Sequence, residues 1–317
     1  MLWAPALRLA FLCLIPATAP AASPTLPEKL IEAGHWKRAR VLVEARLKQD
    51  PQDALANFLL SQIRAAFGDR NSPLPLAEKA EALDPATARY HRQVAEVLGV
   101  AAQHANVFQQ LLLARRFRKE IDAALALDPH DIQALRDLIE FYLLAPAVAG
   151  GDGRKAETTA ARIAAIDSAA GFLAQARIAE FHRDKSAEES LLRRAVEAAP
   201  ADYGARIALA RLTQNEAEAR AALALDPGRV DAYCILASMD AGRGDWQALD
   251  AILAAAARAV PDDAAPFYRA AEALRATGSG PARAEGYLRI YLEQPPEGNE
   301  PSAAEARAEL SRCEKSR

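Results

Sequence analysis

A proline returns along this chain at a nearly constant distance and closes the same short phrase each time. The phrase Ala-Leu-Asp-Pro ends at Pro85, and Ala-Leu-Ala-Leu-Asp-Pro ends at Pro129 and again at Pro227. The intervals from 51 to 85, from 227 to 261 and from 261 to 295 are each 34 residues. A period of this length is typical of stacked helical hairpins, each of which buries its apolar face only against its neighbours.

The composition favours helices throughout. Hydrophobic residues make up 51% of the 317 residues but aromatic residues only 6%, so the apolar mass is mostly Ala and Leu, which are good helix formers. Runs of Val, Ile and Thr that would indicate strands are missing. A single core would be near its useful upper size at this length, whereas a solenoid extends its core in one dimension.

The balance of charged residues limits the class of molecule that the protein can bind. The chain carries 39 basic and 42 acidic residues, a formal net charge of −3, and its pI is about 6.0. A nucleic-acid-binding domain normally shows a basic face or a pI above about 9. The sequence therefore predicts a partner that is not a nucleic acid.

The N-terminus has the pattern of an export signal. Arg8 precedes an apolar stretch from 9 to 15, and Ala19-Pro20-Ala21 offers small side chains at a cleavage point. We interpret residues 1–21 as a signal peptide and 22–26 as a short linker. The apolar stretch is too short to cross ~30 Å of hydrocarbon, so no stable membrane span is expected after cleavage. The predicted location is the bacterial periplasm or the secreted fraction.

The unit from 230 to 261 shows the repeated plan most clearly. Tyr233, Leu236 and Ala237 share one face of its first helix, and Asp245 can cap its second helix after a glycine-containing turn. Corresponding positions elsewhere are Asn57, Leu60, Ser61, Ala77, Ala80, Ala124, Leu192, Ala195 and Ala222.

In these positions the chain resembles the tetratricopeptide repeat (TPR) family over residues 27 to 315. The resemblance implies an all-α, right-handed α-solenoid of about eight TPR-like hairpins over residues 27–300, and a C-terminal capping helix and tail over 301–317. It also implies a scaffold that binds a protein or peptide in its concave groove, with no catalysis and no cofactor. It does not indicate an oligomeric state.

Two intervals depart from the period. From Pro85 to Pro129 is 44 residues, an excess of 10 around 100 to 107, and the next unit carries an excess of five in 145–153. We expect these stretched units to distinguish the protein from a generic array. The segment 141–146 with Gly150-Gly151-Asp152 is similar to exported bacterial TPR proteins of mostly unassigned function, and more faintly to the TPR component of TRAP-type transporters. That similarity implies an alternative function: a transport accessory that binds a small solute, near Phe141 and Tyr142, or docks on a periplasmic solute-binding protein.

The first helices of such an array line its groove. Polar residues on these helices that do not take part in packing are candidate binding residues. These are Arg89, Arg92, Glu96, Gln133, Arg136, Glu140, Gln175, Arg211, Tyr268, Glu272 and Arg275. Several arginines along one groove could hold an acidic or carboxylate-bearing peptide by bidentate hydrogen bonds. The alternative is ordinary solubilising charge.

The densest basic run is a second candidate, consisting of Arg115, Arg116, Arg118 and Lys119. It follows the 10-residue excess and could contact an acidic partner or anionic lipid headgroups. The alternative is a solvated helix surface, since these residues fan around more than one helical face.

Catalytic and metal-binding motifs are missing from the sequence. The five histidines are scattered, and none pairs with another at i, i+4, which predicts no helical zinc site. The segment 150–156 lacks the first Gly, the final Ser or Thr and the preceding strand of a phosphate-binding loop, so we interpret it as a turn in which Asp152 caps a helix. The sequence thus predicts a protein that is not an enzyme and binds no metal.

Overall fold

The computed structural model describes residues 26–295 and 301–315, which form seventeen α-helices and one 3-10 turn with no strand among them. The predicted signal peptide lies outside these residues, as does all of the predicted linker except Leu26. Among the described helices, none is both long and apolar enough to cross a membrane.

The helices follow one another as hairpins, and we call the odd-numbered member of each hairpin its first helix. The bounds are α1 Leu26–Glu32, α2 Trp36–Gln49, α3 Ala54–Ala66, α4 Pro73–Leu83, α5 Ala88–Gln103, α6 Val107–Leu127, α7 Ile132–Leu144, α8 Gly153–Ile166, α9 Ser168–Phe181, α10 Lys185–Ala198, α11 Tyr203–Thr213, α12 Glu216–Leu225, α13 Val230–Arg243, α14 Trp246–Ala259, α15 Ala265–Thr277, α16 Pro281–Glu293 and α17 Ala303–Lys315. Eight hairpins and a final single helix therefore make up the described chain, as predicted.

The recurring Leu-Asp-Pro phrase forms the turn that leads from one hairpin to the next. Asp84, Asp128 and Asp226 each close a second helix, and each donates its backbone N–H to the carbonyl four residues earlier. The side-chain oxygen of Asp128 then accepts the N–H of His130 at 3.0 Å, and that of Asp226 accepts the N–H of Gly228 at the same distance. This Asx turn ends the helix while the following proline prevents its continuation.

Nine of the seventeen described helices begin at an Asp or Asn side-chain cap. An Asp or Asn oxygen accepts a backbone N–H of the first turn at Asp53, Asn106, Asp131, Asp152, Asp167, Asp184, Asp202, Asn215 and Asp245. Each such cap satisfies a helical N–H that has no partner within its helix.

The core is divided into successive clusters along the chain, as expected when each hairpin contacts its neighbours. Alanines at the repeated positions, such as Ala80, Ala124 and Ala222, are fully buried. Their small side chains let neighbouring helices approach closely. Larger side chains such as Leu98, Leu135 and Leu236 fill the remaining interior.

The two departures from the 34-residue period become a longer hairpin and a folded loop. Helices α5 and α6 have 16 and 21 residues, compared with 13 in α7. The loop between α7 and α8 contains a 3-10 turn, and Gly150 has a φ of +107°. A Cβ on Gly151 would lie 1.8 Å from the carbonyl oxygen of Ala145, so only glycine fits where the loop folds back.

The array bends far enough to bring its two ends together. His35, in the turn between α1 and α2, reaches Asp262 in the loop before α15. Lys37 Nζ, at the start of α2, donates to the carbonyl oxygen of Pro295 at 3.3 Å. The first hairpin therefore rests on loops that belong to the last hairpins.

Candidate functional site

The two stretched units together form a cleft of about 390 Å³. Its walls are α5 from residue 96 to 103, α6 from 110 to 117, and the end of α7 with its following loop, from 137 to 146. The cleft lies beside the two long helices, at the C-terminal half of α5 and the N-terminal half of α6. We call this space the hairpin cleft.

Aromatic side chains close one side of the hairpin cleft. The rings of Phe117 and Phe141 are stacked, with centroids 5.4 Å apart and an interplanar angle of 7°. A Cβ on Gly99 would lie 3.4 Å from the Phe117 ring, and a Cβ on Gly150 would lie 3.5 Å from the Phe141 ring. Both glycines therefore lie next to the aromatic wall.

Arg118 ties α6 to α7 next to this wall. Its Nη1 donates to Tyr142 Oη at 2.6 Å, while its Nε lies 2.9 Å from both carboxylate oxygens of Asp122. The guanidinium also lies 5.4 Å from the centroid of the Tyr142 ring, at cation–π distance. The hydrogen bond and the ring contact with Tyr142 join α6 to α7 next to the hairpin cleft.

Three carboxylates stand at the rim where the hairpin cleft meets the face formed by the first helices: Glu96, Asp137 and Glu140. Arg92 lies between two of them, with Nη1 3.4 Å from Asp137 Oδ2 and 3.6 Å from Glu96 Oε2. Burial raises the pKa of Asp137 to about 6, with Arg92 opposing the shift and Glu96 adding to it. Glu140 accepts two hydrogen bonds from Arg177 of α9, at 2.6 and 2.8 Å.

Large apolar side chains are also exposed around the mouth of this hairpin. Val107 is 77%, Phe108 86% and Leu112 65% exposed in the first turns of α6, and Leu144 at the end of α7 is 56% exposed. Contiguous exposed apolar surface is typical of interaction sites, and isolated exposed apolar side chains are common on any protein surface.

Only some of the predicted groove residues lie at the hairpin cleft. Glu96 and Glu140 line the hairpin cleft, and Arg92 lies at its rim. Arg89 instead pairs with Glu28 at 2.6 Å and lies over the Phe58 ring at 5.2 Å.

The predicted arginines in the later units are paired as well. Arg211 lies 3.6 Å from Asp231, and Arg275 pairs with Glu309 of the capping helix α17. Much of the positive charge along the first helices is therefore neutralised by carboxylates from other hairpins.

The other predicted groove residues do not join a common site. Gln133 and Arg136 are exposed on α7, Gln175 is partly buried on α9, and Glu272 pairs with Arg269. Tyr268 was expected in the groove but lies in the core: it is only 6% exposed, and its ring centroid is 5.2 Å from that of Tyr291. Its position on α15 faces the neighbouring helix, which periodicity alone could not distinguish from the groove face.

The predicted basic patch is broken up by acidic neighbours. Arg116 pairs with Glu78 at 2.5 Å, Arg118 with Asp122, and Lys119, which is 80% exposed, lies 3.6 Å from Glu120. Arg115 is exposed on the same helix. The four cations do not form one continuous positive surface.

The glycine-containing segment before α8 is a helix start, as predicted. Asp152 Oδ1 accepts the backbone N–H groups of Arg154 and Lys155, at 3.0 and 3.4 Å. Sequence reasoning located both stretched units but missed Asp137 and Gly99. Neither residue belongs to a recognisable motif. The extra residues of the stretched units were the only sequence signal near them.

Comparison with solved structures identifies the fold. A thermophilic TPR protein from Thermus thermophilus matches with a TM-score of 0.52 at 20% identity, over 60% of this chain and 96% of that protein. Yeast Tom70 matches with a TM-score of 0.57 at 13% identity, over 90% of this chain and 60% of Tom70. The protein is therefore an all-α solenoid of TPR-type helix hairpins. No protein-family model matches the sequence, and no curated protein matches it.

Proposed function

We propose that this protein is a binding scaffold that holds a segment of a partner protein in the hairpin cleft and has no chemistry of its own. The observation that carries the proposal is the coincidence of both departures from the repeat at one cleft of about 390 Å³. Regular hairpins are sufficient to build a solenoid. Extra residues at two places around one cavity therefore indicate a role other than the stacking of hairpins. Pockets of roughly 300–1,000 Å³ are the size in which proteins bind ligand groups.

The chemistry of the walls indicates what the partner segment presents. Phe117, Phe141 and Leu144 offer apolar contact, while Glu96, Asp137 and Glu140 at the rim are only partly neutralised by Arg92 and Arg177. We infer a segment with one or two large apolar side chains followed by a Lys or Arg. An acidic segment is less well suited, because several predicted groove arginines already pair with carboxylates of this chain.

We also propose that the scaffold is exported, on the basis of the signal-like pattern in residues 1–21. Expression of the full chain in a bacterium followed by fractionation tests this proposal. Recovery from the periplasm of a mature protein that begins near Ala22 is the expected result. Full-length chain confined to the cytoplasm would contradict it.

Peptide display tests the binding site directly. Random peptides are selected for binding to the wild-type protein alone, and the affinity of each selected peptide is then measured for Leu144→Asp, which places a charge on the apolar wall. Leu225→Asp is the matched control: both leucines are the last residue of a helix and are 56% and 44% exposed, but only Leu144 lines the hairpin cleft. We expect selected peptides to combine apolar and basic residues.

Selected peptides should bind Leu144→Asp at least tenfold more weakly than Leu225→Asp, whose affinity should match that of the wild type. Equal affinities for the two variants would place the binding site elsewhere. Failure to select any peptide would contradict a peptide-binding role.

A small solute is the second candidate, and the volume and apolar walls of the same cavity favour it. This corresponds to a transport accessory that receives or hands over a solute. A thermal-shift screen with metabolites distinguishes the candidates. A solute that stabilises the wild type and Leu225→Asp but not Leu144→Asp supports the solute role, whereas peptide binding without such a solute supports the scaffold.

A further inference from the structure

Glu81, His91 and Glu120 lie close together, outside the hairpin cleft and outside any motif recognised in the sequence. They come from α4, α5 and α6, and their potential ligand atoms all lie within 4.8 Å of one another. His91 Nδ1 lies 3.0 Å from Glu120 Oε2 and 3.3 Å from Glu81 Oε1. Glu120 is only 3% exposed, so the group lies where the second and third hairpins pack together.

The second ring nitrogen of His91 determines what Nδ1 can do. His91 Nε2 lies 3.0 Å from the backbone carbonyl oxygen of Pro85. A carbonyl oxygen only accepts hydrogen bonds, so Nε2 carries a proton and donates it. In the neutral ring Nδ1 then holds a lone pair, and that lone pair faces two carboxylate oxygens. Either a proton on Nδ1 or a cation bound between the three groups removes this repulsion.

The arrangement matches the way proteins hold a divalent transition-metal ion. A metal-ligating histidine commonly donates its other N–H to a backbone carbonyl or carboxylate, which fixes the tautomer and the ring orientation. Zinc takes nitrogen and carboxylate oxygen ligands at about 2.0–2.2 Å, so neighbouring ligand atoms of a tetrahedral site lie roughly 3.3–3.5 Å apart. The observed 3.0 and 3.3 Å from Nδ1 are close to that spacing.

We propose that Glu81, His91 and Glu120 bind one Zn²⁺ ion, with the fourth position left to water. The two carboxylates balance the charge of the ion. Lys119 Nζ lies 3.6 Å from Glu120 Oε1, the oxygen that does not face His91, and its side chain is 80% exposed and is free to point into solvent. The ion joins α4, α5 and α6 and so fixes the base of the long hairpin whose other end forms the cleft. The ligands come from three helices, which is why the absence of a histidine pair in the sequence led to the expectation of no metal.

Calorimetric titration of the chelator-treated full chain with ZnCl₂ tests the site. We expect one equivalent to bind to the wild type and to raise its melting temperature by mass action. Mg²⁺ should not bind under the same conditions, because it prefers an all-oxygen ligand set. Glu81→Gln removes the most exposed of the three ligands, and its fold is checked by circular dichroism.

Glu78→Gln is the matched control, because Glu78 lies one turn earlier on α4 and pairs with Arg116 instead. Zinc affinity should fall at least tenfold in Glu81→Gln and remain at the wild-type value in Glu78→Gln. His91→Gln, in which the imidazole is lost, should also bind at least tenfold more weakly. Lack of one-to-one binding to the wild type would mean that only a proton bridges the three groups, and unchanged affinity in Glu81→Gln would place the ion elsewhere. Either result overturns the proposal without affecting the hairpin cleft.

Discussion

His35 and Asp262 are separated by 227 residues in the sequence, yet His35 Nδ1 lies 3.1 and 3.2 Å from the two carboxylate oxygens of Asp262. His35 is in the turn inside the first hairpin and is only 7% exposed, whereas Asp262 is in the loop that leads into α15. A Cβ on Gly228, in the loop before α13, would lie 3.9 Å from His35 Nε2. The turn inside the first hairpin thus lies next to two loops that connect later hairpins, one between α12 and α13 and the other between α14 and α15.

Asp262→Ala is expected to open this contact. Spin labels at the exposed positions Val41 on α2 and Gln247 on α14 should show a longer and broader distance distribution than in the wild type. Loss of this hydrogen-bonded pair should also lower the free energy of unfolding by about 1 kcal/mol. Glu189→Ala, which breaks an exposed pair within α10, is the control and should leave the distances unchanged. An unchanged distribution in Asp262→Ala would show that this pair does not hold the ends together.

The hairpin plan was predictable because its determinants are local. The Asx turns at Asp84, Asp128 and Asp226 involve residues only two apart, and the caps at the helix starts involve residues two or three apart. Such contacts repeat in the sequence whenever they repeat in the structure. The number of hairpins therefore followed from the period.

The closure of the array and the environment of the rim were not predictable in the same way. The contact of His35 with Asp262 depends on small rotations that accumulate over all the intervening hairpins, and no short pattern encodes them. The sequence predicts Arg92 as a groove residue, but its pairing with Asp137 depends on how α5 packs on α7. The stretched units could be located in the sequence, while the shape of their cleft could not.

Asp137→Asn is expected to stabilise the protein at pH 7.5. The folded-state pKa of Asp137 is raised from 3.8 to about 6, so the folded state favours the protonated form. This contribution to stability is present at low pH and is lost as the pH rises through about 6. Asparagine cannot ionise, so the variant does not lose stability as the pH rises. The substitution should therefore raise the free energy of unfolding by about 1–2 kcal/mol at pH 7.5 and by much less at pH 4.5. Urea unfolding at the two pH values measures the difference.

The control residue for this prediction, Asp250, has a pKa that is shifted in the opposite direction. The hydrogen bond from Arg283 lowers the pKa of Asp250, so Asp250→Asn should not stabilise the protein at pH 7.5. A stability gain in Asp137→Asn that is equal at both pH values would contradict the titration of Asp137 as its cause.

Gly171→Ala is expected to destabilise the protein. A Cβ on this residue of α9 would lie 2.4 Å from Ala164 Cβ and 2.5 Å from Ala164 Cα in α8, so the two helices would have to move apart. A cost of about 1–3 kcal/mol is typical of such overpacking. Gly286→Ala on α16 meets nothing within 4 Å and should stabilise by up to about 1 kcal/mol through helix propensity. Thermal unfolding of both variants measures the contrast, and equal shifts would contradict the close approach of α8 and α9.

Tyr142→Phe is expected to loosen α6 on α7. The hydroxyl of Tyr142 accepts a hydrogen bond from Arg118 at 2.6 Å beside the hairpin cleft, and the variant removes only that acceptor. Hydrogen bonds to charged groups contribute about 1.5–3 kcal/mol, although Asp122 continues to hold the guanidinium and reduces the loss. Amide hydrogen exchange across residues 107–117 should therefore become faster. Tyr287→Phe is the control, because Tyr287 accepts from Arg283 at 3.1 Å in a distant hairpin. Faster exchange in α6 for both variants would indicate general destabilisation, and unchanged exchange in Tyr142→Phe would show that Arg118 does not hold α6 in place.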